Sequence, residues 1–320
     1  MPEASLTSKK PTPKEEGAKA AVKARTALIE TLDEWGETEF ANKLRSCSEK
    51  ILIHCIECDH DLVTEKHCKR RWCPVCARVI SAERVAKFSG AIKRMNSPLF
   101  VTLTMPNVTD ARAGIHEIRK AFGRWKRQKW FKELDVKGGI ASLEITNRGK
   151  GWHPHLHVLL DCPWLAPSRL MPQPGDSPRI IKSKCSESQA QLSAAWATAL
   201  RTETAIVHVK KAGPEIAREV LKYSVKPSDL IECADNPGDI IRAMDRTRLV
   251  TTWGSCYGLS AEIKAEAAAL KEPCKCEKCG GSNWMPQEVW SKFYDRVDTT
   301  RRTYWGQGTH GYCRIHDQPE

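Results

Sequence analysis

Several things are missing from this sequence. Its 320 residues contain no apolar run long enough to cross a bilayer, which takes about 20 consecutive residues. The N-terminal stretch has no hydrophobic core of a signal peptide. No internal repeat is apparent, so a chain of this length is read as one large domain or two to three small ones with a sizeable core. Acidic residues are short as well: 39 Asp and Glu against 51 Lys and Arg leave a formal charge of +12. That excess favours a polyanionic partner such as nucleic acid over the blander alternative of a membrane surface. The expectation is a cytoplasmic protein with no membrane attachment, in a compartment that keeps thiols reduced.

What is present in quantity is cysteine, 14 residues of it. Under reducing conditions, clustered cysteines at short spacing read as metal ligands sooner than as disulfides. Residues 47–78 hold Cys47, His54, Cys55, Cys58, His60, His67, Cys68, Cys73 and Cys76. The CxxC pairs Cys55/Cys58 and Cys73/Cys76 each present two thiolates, and zinc takes four soft ligands, so both pairs are assigned to Zn²⁺. His54, His67 and Cys68 remain alternatives, as substitutes or as ligands of a second ion. Lys69, Arg70 and Arg71 suit phosphate contact or form a solvated basic turn. A later group, Cys274, Cys276 and Cys279, with His310, Cys313 and His316 about thirty residues on, reads as a second zinc knuckle. Cys162, Cys185, Cys233 and Cys256 lack partners at ligand spacing and are expected as small core residues.

Four regions follow from composition and pattern. Residues 1–40 form a basic tail, disordered or partly helical; 41–95 a zinc-binding region; 96–235 the core; and 236–320 a C-terminal region with the second knuckle. Within the core, FVTLTMP (100–106) alternates as a strand. Residues 111–132 place Ile115, Ile118, Phe122 and Trp125 on one helical face, with eight Lys/Arg (Arg124, Lys126 and Arg127 among them) against a single Glu. These cations face DNA or simply solvent. IASLEIT (140–146) and HPHLHVLLD (153–161) form an antiparallel hairpin around NRGKGW. Ser186 and Gln189 resemble a capping box before a helix bearing Leu192, Trp196 and Leu200. AIVHVK (205–210) is a strand, and a helix opens at Gly213-Pro214 and runs to Lys226. The order fits an α+β fold, a sheet with helices on one face.

The chemistry concentrates in two places. On a strand, His153, His155 and His157 point to one face. One histidine there would be an ordinary core residue; three need partners for polar nitrogens, and metal binding supplies them. Glu144, on the other arm of the hairpin, can reach the same ion. Two imidazoles and a carboxylate, with positions open for phosphate oxygens, suit Mn²⁺ or Mg²⁺. On a helix, Glu219, Tyr223 and Lys226 fall at i, i+4 and i+7, along one stripe. Singly they read as a surface charge, a core-edge aromatic and a C-terminal cation. Together they read as base, nucleophile and electrophile, with the tyrosine attacking a metal-polarised phosphodiester.

FVTLTMPN (100–107), HPHLHVLL (153–160) and KYSVKPSDL (222–230), in that order, resemble the three motifs of rolling-circle plasmid replication initiators of the HUH endonuclease superfamily, single-tyrosine branch. RRWCPVC (70–76) is similar to a cysteine cluster upstream in the same branch, and the resemblance covers roughly residues 45–235. It implies a ferredoxin-like, five-stranded antiparallel core. It implies His155 and His157 as metal ligands with Glu144 as the third, and His153 in support. Tyr223 would nick one strand and retain the 5′-phosphate, Lys226 would assist, and Glu219 would activate water for the final cleavage. The implied partners are origin DNA, single-stranded or cruciform, and host helicase, polymerase and single-strand-binding protein.

Two rival readings stand beside it. HPHLHVL also satisfies the signature of histidine-triad nucleotide hydrolases, in which His155 would attack an α-phosphate without metal. A non-catalytic, zinc-containing DNA-binding regulator would need neither the histidines nor the tyrosine. Trp284, Trp290 and Trp305 either stack on bases or fill a small core.

Overall fold

In the computed structural model, which describes residues 13–58, 60–166, 168–213, 215–221, 225–245, 247–257, 275–286, 301–308 and 311–319, the alternating run over 138–161 folds as a hairpin. Before it come α1 (Pro13–Glu34), α2 (Thr38–Arg45), β1 (Lys50–Cys55), β2 (Asp61–Glu65), α3 (Pro74–Lys93), β3 (Pro98–Thr104), α4 (Ala111–Arg127) and α5 (Lys129–Lys132). The hairpin is β4 (Gly138–Asn147) and β5 (Trp152–Asp161). Then follow α6 (Pro178–Leu200), β6 (Val207–Lys211), α7 (Ile216–Leu221), α8 (Pro227–Ile231), α9 (Pro237–Met244), β7 (Val250–Gly254), β8 (Asn283–Pro286), β9 (Arg301–Gly308) and β10 (Gly311–Pro319).

The chain is α+β. Its central sheet has the order β6-β3-β5-β4-β7, antiparallel throughout. Strands β4 and β5 lie in its middle and are almost wholly buried, as strands covered on both faces must be. Val101, Leu103, Leu143, Leu156 and Val158 line one face and pack with Ile115, Ile118 and Trp125 of α4 and Leu192 and Trp196 of α6. Trp196 also donates its indole N–H to the Thr104 carbonyl at 2.6 Å. The other face carries Phe100, Ile140 and Leu159 against Phe88 of α3 and Ile216 and Val220 of α7. Helices therefore cover both faces, not one. The reason is visible in the strands: one alternating set is apolar, and the other, which carries Glu144 and the histidines, also buries Phe100, Ile140 and Leu159, so each face needs a cover.

A second sheet, β2-β1-β8-β10-β9, joins an N-terminal hairpin to a strand more than two hundred residues later, with β8 and β10 parallel. Ile53, Cys55, Cys276 and Trp284 form its own small core.

Three boundaries differ from the sequence reading. Helix α6 begins at Pro178 rather than near Ser186, because Ser177 caps it, accepting from Ile180 N at 3.4 Å, and proline is pre-shaped for the first turn. The central sheet extends past residue 235, since β7 pairs with β4. The helix opened near Gly213 ends at Leu221; Lys226 is extended (φ −80°, ψ 142°) and starts α8, because a residue before proline avoids the helical region. In the basic tail, α1 forms, and its Leu28 and Leu32 are fully buried in the main core.

Candidate active site and metal centres

The hairpin register fixes the first site. Glu144 is paired directly with His155, Ser142 with His157 and Thr146 with His153, so one face of two adjacent strands carries the whole set. The Glu144 carboxylate reaches both rings: Oε2 lies 2.6 Å from His157 Nε2 and 3.2 Å from His155 Nε2. Glu144 is 3% exposed and His157 8%. A carboxylate and two imidazole nitrogens converging at such burial could hold a metal ion. No second histidine nitrogen points idly. His157 Nδ1 is 3.4 Å from Thr102 Oγ1, and His155 Nδ1 is 3.3 Å from the His153 carbonyl. Partners of this kind fix tautomer and ring orientation for a metal on the other nitrogen. Phe100 stacks on the His157 ring, with centroids 5.4 Å apart and planes at 14°.

His153 stands beside this group, 5.7 Å ring to ring from His155. Its buried Nε2 has no hydrogen-bond partner. Burial, then the positive charge of His155 and Arg148, holds its pKa below the ordinary histidine value. A neutral ring with a bare nitrogen is thus available at the edge of the site.

Val225 bridges to Ile145, the neighbour of Glu144, in parallel. Tyr223 itself lies outside the described residues. Lys226 and Asp229 follow Val225 at the start of α8. Asp229 is 9% exposed, its Oδ2 has no partner, and burial pushes its carboxyl pKa up. Lys226 opposes that shift and the charge of Glu144 adds to it, so Asp229 belongs to the electrostatic surroundings of the site. Sequence reasoning missed Asp229, Thr102 and Phe100. The only available signal for the last two was their place on the strand beside the histidines.

Glu219 and Lys226 do not share a helical stripe. Glu219 sits on α7, where both carboxylate oxygens accept from Lys210 Nζ at 3.0 and 2.9 Å. Lys210 lies over the Phe100 ring at 5.0 Å, and Phe100 is the residue stacked on His157. Glu219 is therefore on the histidine side of the sheet, two side chains removed.

The cysteines form two clusters that cut across the CxxC pairing read from the sequence. Cys73 and Cys76 join Cys47 and Cys68; Cys55 and Cys58 join Cys276 and Cys279. In the first, Cys47 Sγ is 3.6 Å from Cys73 Sγ and 3.5 Å from Cys76 Sγ, and Cys68 is 3.6 Å from Cys76. In the second, Cys55 and Cys279 are 3.6 Å apart and Cys58 and Cys276 3.5 Å. A tetrahedron of thiolates with Zn–S near 2.3 Å has edges of about 3.8 Å, so both clusters can hold a metal such as zinc. Hydrogen bonds from Cys68, Cys73 and Cys76 lower the pKa of Cys47. Hydrogen bonds to Cys47 and Cys76 raise the pKa of His67 to about 10, and the four thiols that converge are Cys47, Cys68, Cys73 and Cys76, without His67. Cys274 and His310 lie outside the described residues, as do the side chains of Cys313, His316 and Trp305; so does Trp290. Trp284 fills the small core, 1% exposed, edge-on to His60. Of the four cysteines expected as core residues, Cys162, Cys233 and Cys256 are buried and Cys185, on the outer side of α6, is exposed.

The candidate DNA-binding cations divide. Arg71 donates to the Thr247 carbonyl at 2.6 Å, and Arg124 to the Ala199 carbonyl at 2.7 Å and to Glu117. Lys126 lies 4.3 Å over the Trp253 ring, and burial lowers its pKa. Lys69, Arg70 and Arg127 are exposed.

A family model described as "Replication protein" matches residues 60–171, a span that contains the cysteines from Cys68 to Cys76, β3 and the whole Glu144–His155–His157 hairpin. The match supports a plasmid replication initiator. No curated protein and no solved structure matches. Among the described residues, no helix is long and apolar enough to cross a membrane.

Proposed function

We propose that this chain starts rolling-circle replication of a plasmid as an HUH-type nickase and ligase. The observation that carries the reading is the convergence of Glu144, His155 and His157 on one point of a buried hairpin, with Val225 of the tyrosine segment bridged to that same strand. The order β3-α4-β4-β5-α6-β6, with strands arranged β6-β3-β5-β4, supports a ferredoxin-like core, to which β7 adds a fifth strand.

In this reading Glu144, His155 and His157 hold Mn²⁺ or Mg²⁺, which when bound polarises the scissile phosphate. The Tyr223 oxygen attacks the phosphorus, the P–O3′ bond breaks, and the 3′ oxygen leaves with a proton as a primer hydroxyl. The 5′-phosphate stays esterified to the tyrosine. Lys226, extended at the head of α8, offsets charge on phosphate or phenolate. Glu219, which accepts from Lys210, takes the proton of the water whose oxygen attacks the phosphorus in the final cleavage, while the P–O3′ bond breaks and the 3′ oxygen leaves as a hydroxyl. Lys69, Arg70, Arg71, Arg124, Lys126 and Arg127 are assigned to origin DNA, with Lys69, Arg70 and Arg127 exposed. The cysteine clusters take structural Zn²⁺.

A histidine-triad hydrolase needs a free His155 nitrogen for attack, whereas here one nitrogen faces Glu144 and the other the His153 carbonyl. The deciding experiment incubates the protein with single-stranded origin DNA and Mn²⁺. An SDS-stable protein–DNA adduct should form and vanish in Tyr223→Phe. Cleavage that persists in that variant, or no adduct under any divalent cation, refutes the nickase.

A further inference from the structure

We propose that the groove along α4, on the sheet face opposite the histidines, binds the phosphate backbone of duplex DNA, leaving the histidine face to the single strand being cut. This rests on the initiator reading. The side is fixed by packing: a Cβ on Gly114 of α4 would lie 3.0 Å from Pro154 Cγ, and Pro154 alternates with His153 and His155 along β5. The groove is a cavity of about 1230 Å³ lined by Arg112, His116, Arg119, Lys120, Arg127 and Arg201. Two acids line it too: Asp110 caps α4, accepting from Ala113 N at 3.0 Å, and Glu117 accepts from Arg124, a further cation of the groove. Arg112, Arg119, Lys120, Arg127 and Arg201 form no ion pair among the described residues, Arg112 donating to the Arg242 carbonyl at 3.2 Å, so the groove keeps an excess of positive charge.

Three features select the occupant. The apolar face of α4 (Ile118, Phe122, Trp125) is buried in the core, so the helix has nothing to insert into a bilayer. No Phe, Tyr or Trp lines the groove, and single-strand binding relies on such stacking platforms. From Arg112 to Arg127 the helix advances about 22 Å, set against roughly 34 Å for a turn of duplex. The groove also continues: Arg112, Ala243 and Thr247 border a second cavity of about 430 Å³ that carries Lys43 and Arg70, and its two aromatics, Phe40 and Trp72, pack edge-on against each other. A backbone laid along α4 would run on to the basic turn beside the first cysteine cluster.

The test uses the full-length, zinc-loaded protein and an Arg112→Ala/Arg119→Ala/Lys120→Ala variant, three exposed positions. Fluorescence anisotropy with an origin-containing duplex across a NaCl series reads affinity and salt slope. Duplex affinity should fall roughly tenfold or more near 0.1 M salt, and the slope of log Kobs against log[salt] should shrink by about 2 to 3, at 0.9 per lost phosphate contact. Mn²⁺-dependent cleavage of a short single-stranded origin oligonucleotide should stay at the wild-type rate. The charge-keeping Arg112→Lys/Arg119→Lys/Lys120→Arg variant should retain the full slope. An unchanged slope in the alanine variant overturns the inference, as does competition by duplex RNA equal to that by duplex DNA. If wild-type protein never cleaves the oligonucleotide yet the slope still shrinks, the nickase fails and the duplex groove stands.

Discussion

Glu144 is shared by two imidazoles, and each imidazole is turned toward it by a contact behind the ring, from Thr102 or from the His153 carbonyl. Removing the carboxylate should therefore weaken the cation more than loss of one surface acid would. Glu144→Gln is expected to lower Mn²⁺ affinity at least about tenfold, the scale on which even supporting partners act, and to abolish adduct formation. Isothermal titration reads the affinity; an unchanged Kd would remove Glu144 from the site. Asp229 makes a prediction of another kind. Burial raises its carboxyl pKa, so ionisation is harder in the folded state. Its contribution to stability is thus full below the ordinary Asp pKa and is lost as pH rises through the raised value. From about pH 4 upward, the unfolding free energy of Asp229→Asn should decline less than that of wild type in denaturant titrations without added Mn²⁺ or Mg²⁺. Parallel declines would contradict a desolvated carboxylate there.

At the scale of elements, the site depends on a hairpin register set by the turn over 148–151. Gly151 sits at φ +83°, and a Cβ there would stand 2.8 Å from the Val108 carbonyl, which accepts from Trp152 N at 2.8 Å. Gly151→Ala is expected to cost about 2 kcal/mol in chemical denaturation, since both the backbone conformation and the space oppose it. Because Glu144 and His155 are opposite across this turn, Mn²⁺ affinity should fall with it; a stability loss without an affinity loss would separate turn from site. Much of this level was legible beforehand. The alternation of β4 and β5, with polar Arg148, Gly149, Lys150 and Gly151 between them, marks the hairpin and places the histidines on one face. The α7–α8 break was less legible. Hydrophobic spacing carries across Lys226 as though the helix continued, and only the steric rule before Pro227 argues against it.

At the scale of the molecule, the two cysteine clusters have different duties. Cys47, Cys73 and Cys76 are part of the main core, together with Leu28, Leu32 and Trp72, whereas Cys55 and Cys276 belong to the small core under the second sheet. Two zinc ions per chain are expected by elemental analysis. Cys276→Ser should reduce that to one and spare oligonucleotide cleavage, because among the described residues its cluster packs in the small core under the second sheet. Cys73→Ser should also lose one ion but lower the melting temperature of the whole core, since structural zinc contributes folding energy directly. Equal effects of the two variants would mean the clusters are not separate.

The sequence by itself determined the local facts: which residues alternate, which lie one turn apart, which cysteines come in pairs, and that the chain carries excess positive charge. Those follow from strand and helix periods and from composition, which need no knowledge of the rest of the chain. Partnership at long range was decided only by tertiary structure. Cys55 meets Cys279 across 224 positions, and Glu37 receives Arg242 across 205, because β1 pairs with β8 and α9 returns to the loop before α2. The basic face of α4 points away from the histidines for the same reason: a helix period shows that the charges share a side, while packing on one face of the sheet chooses which side of the molecule that is.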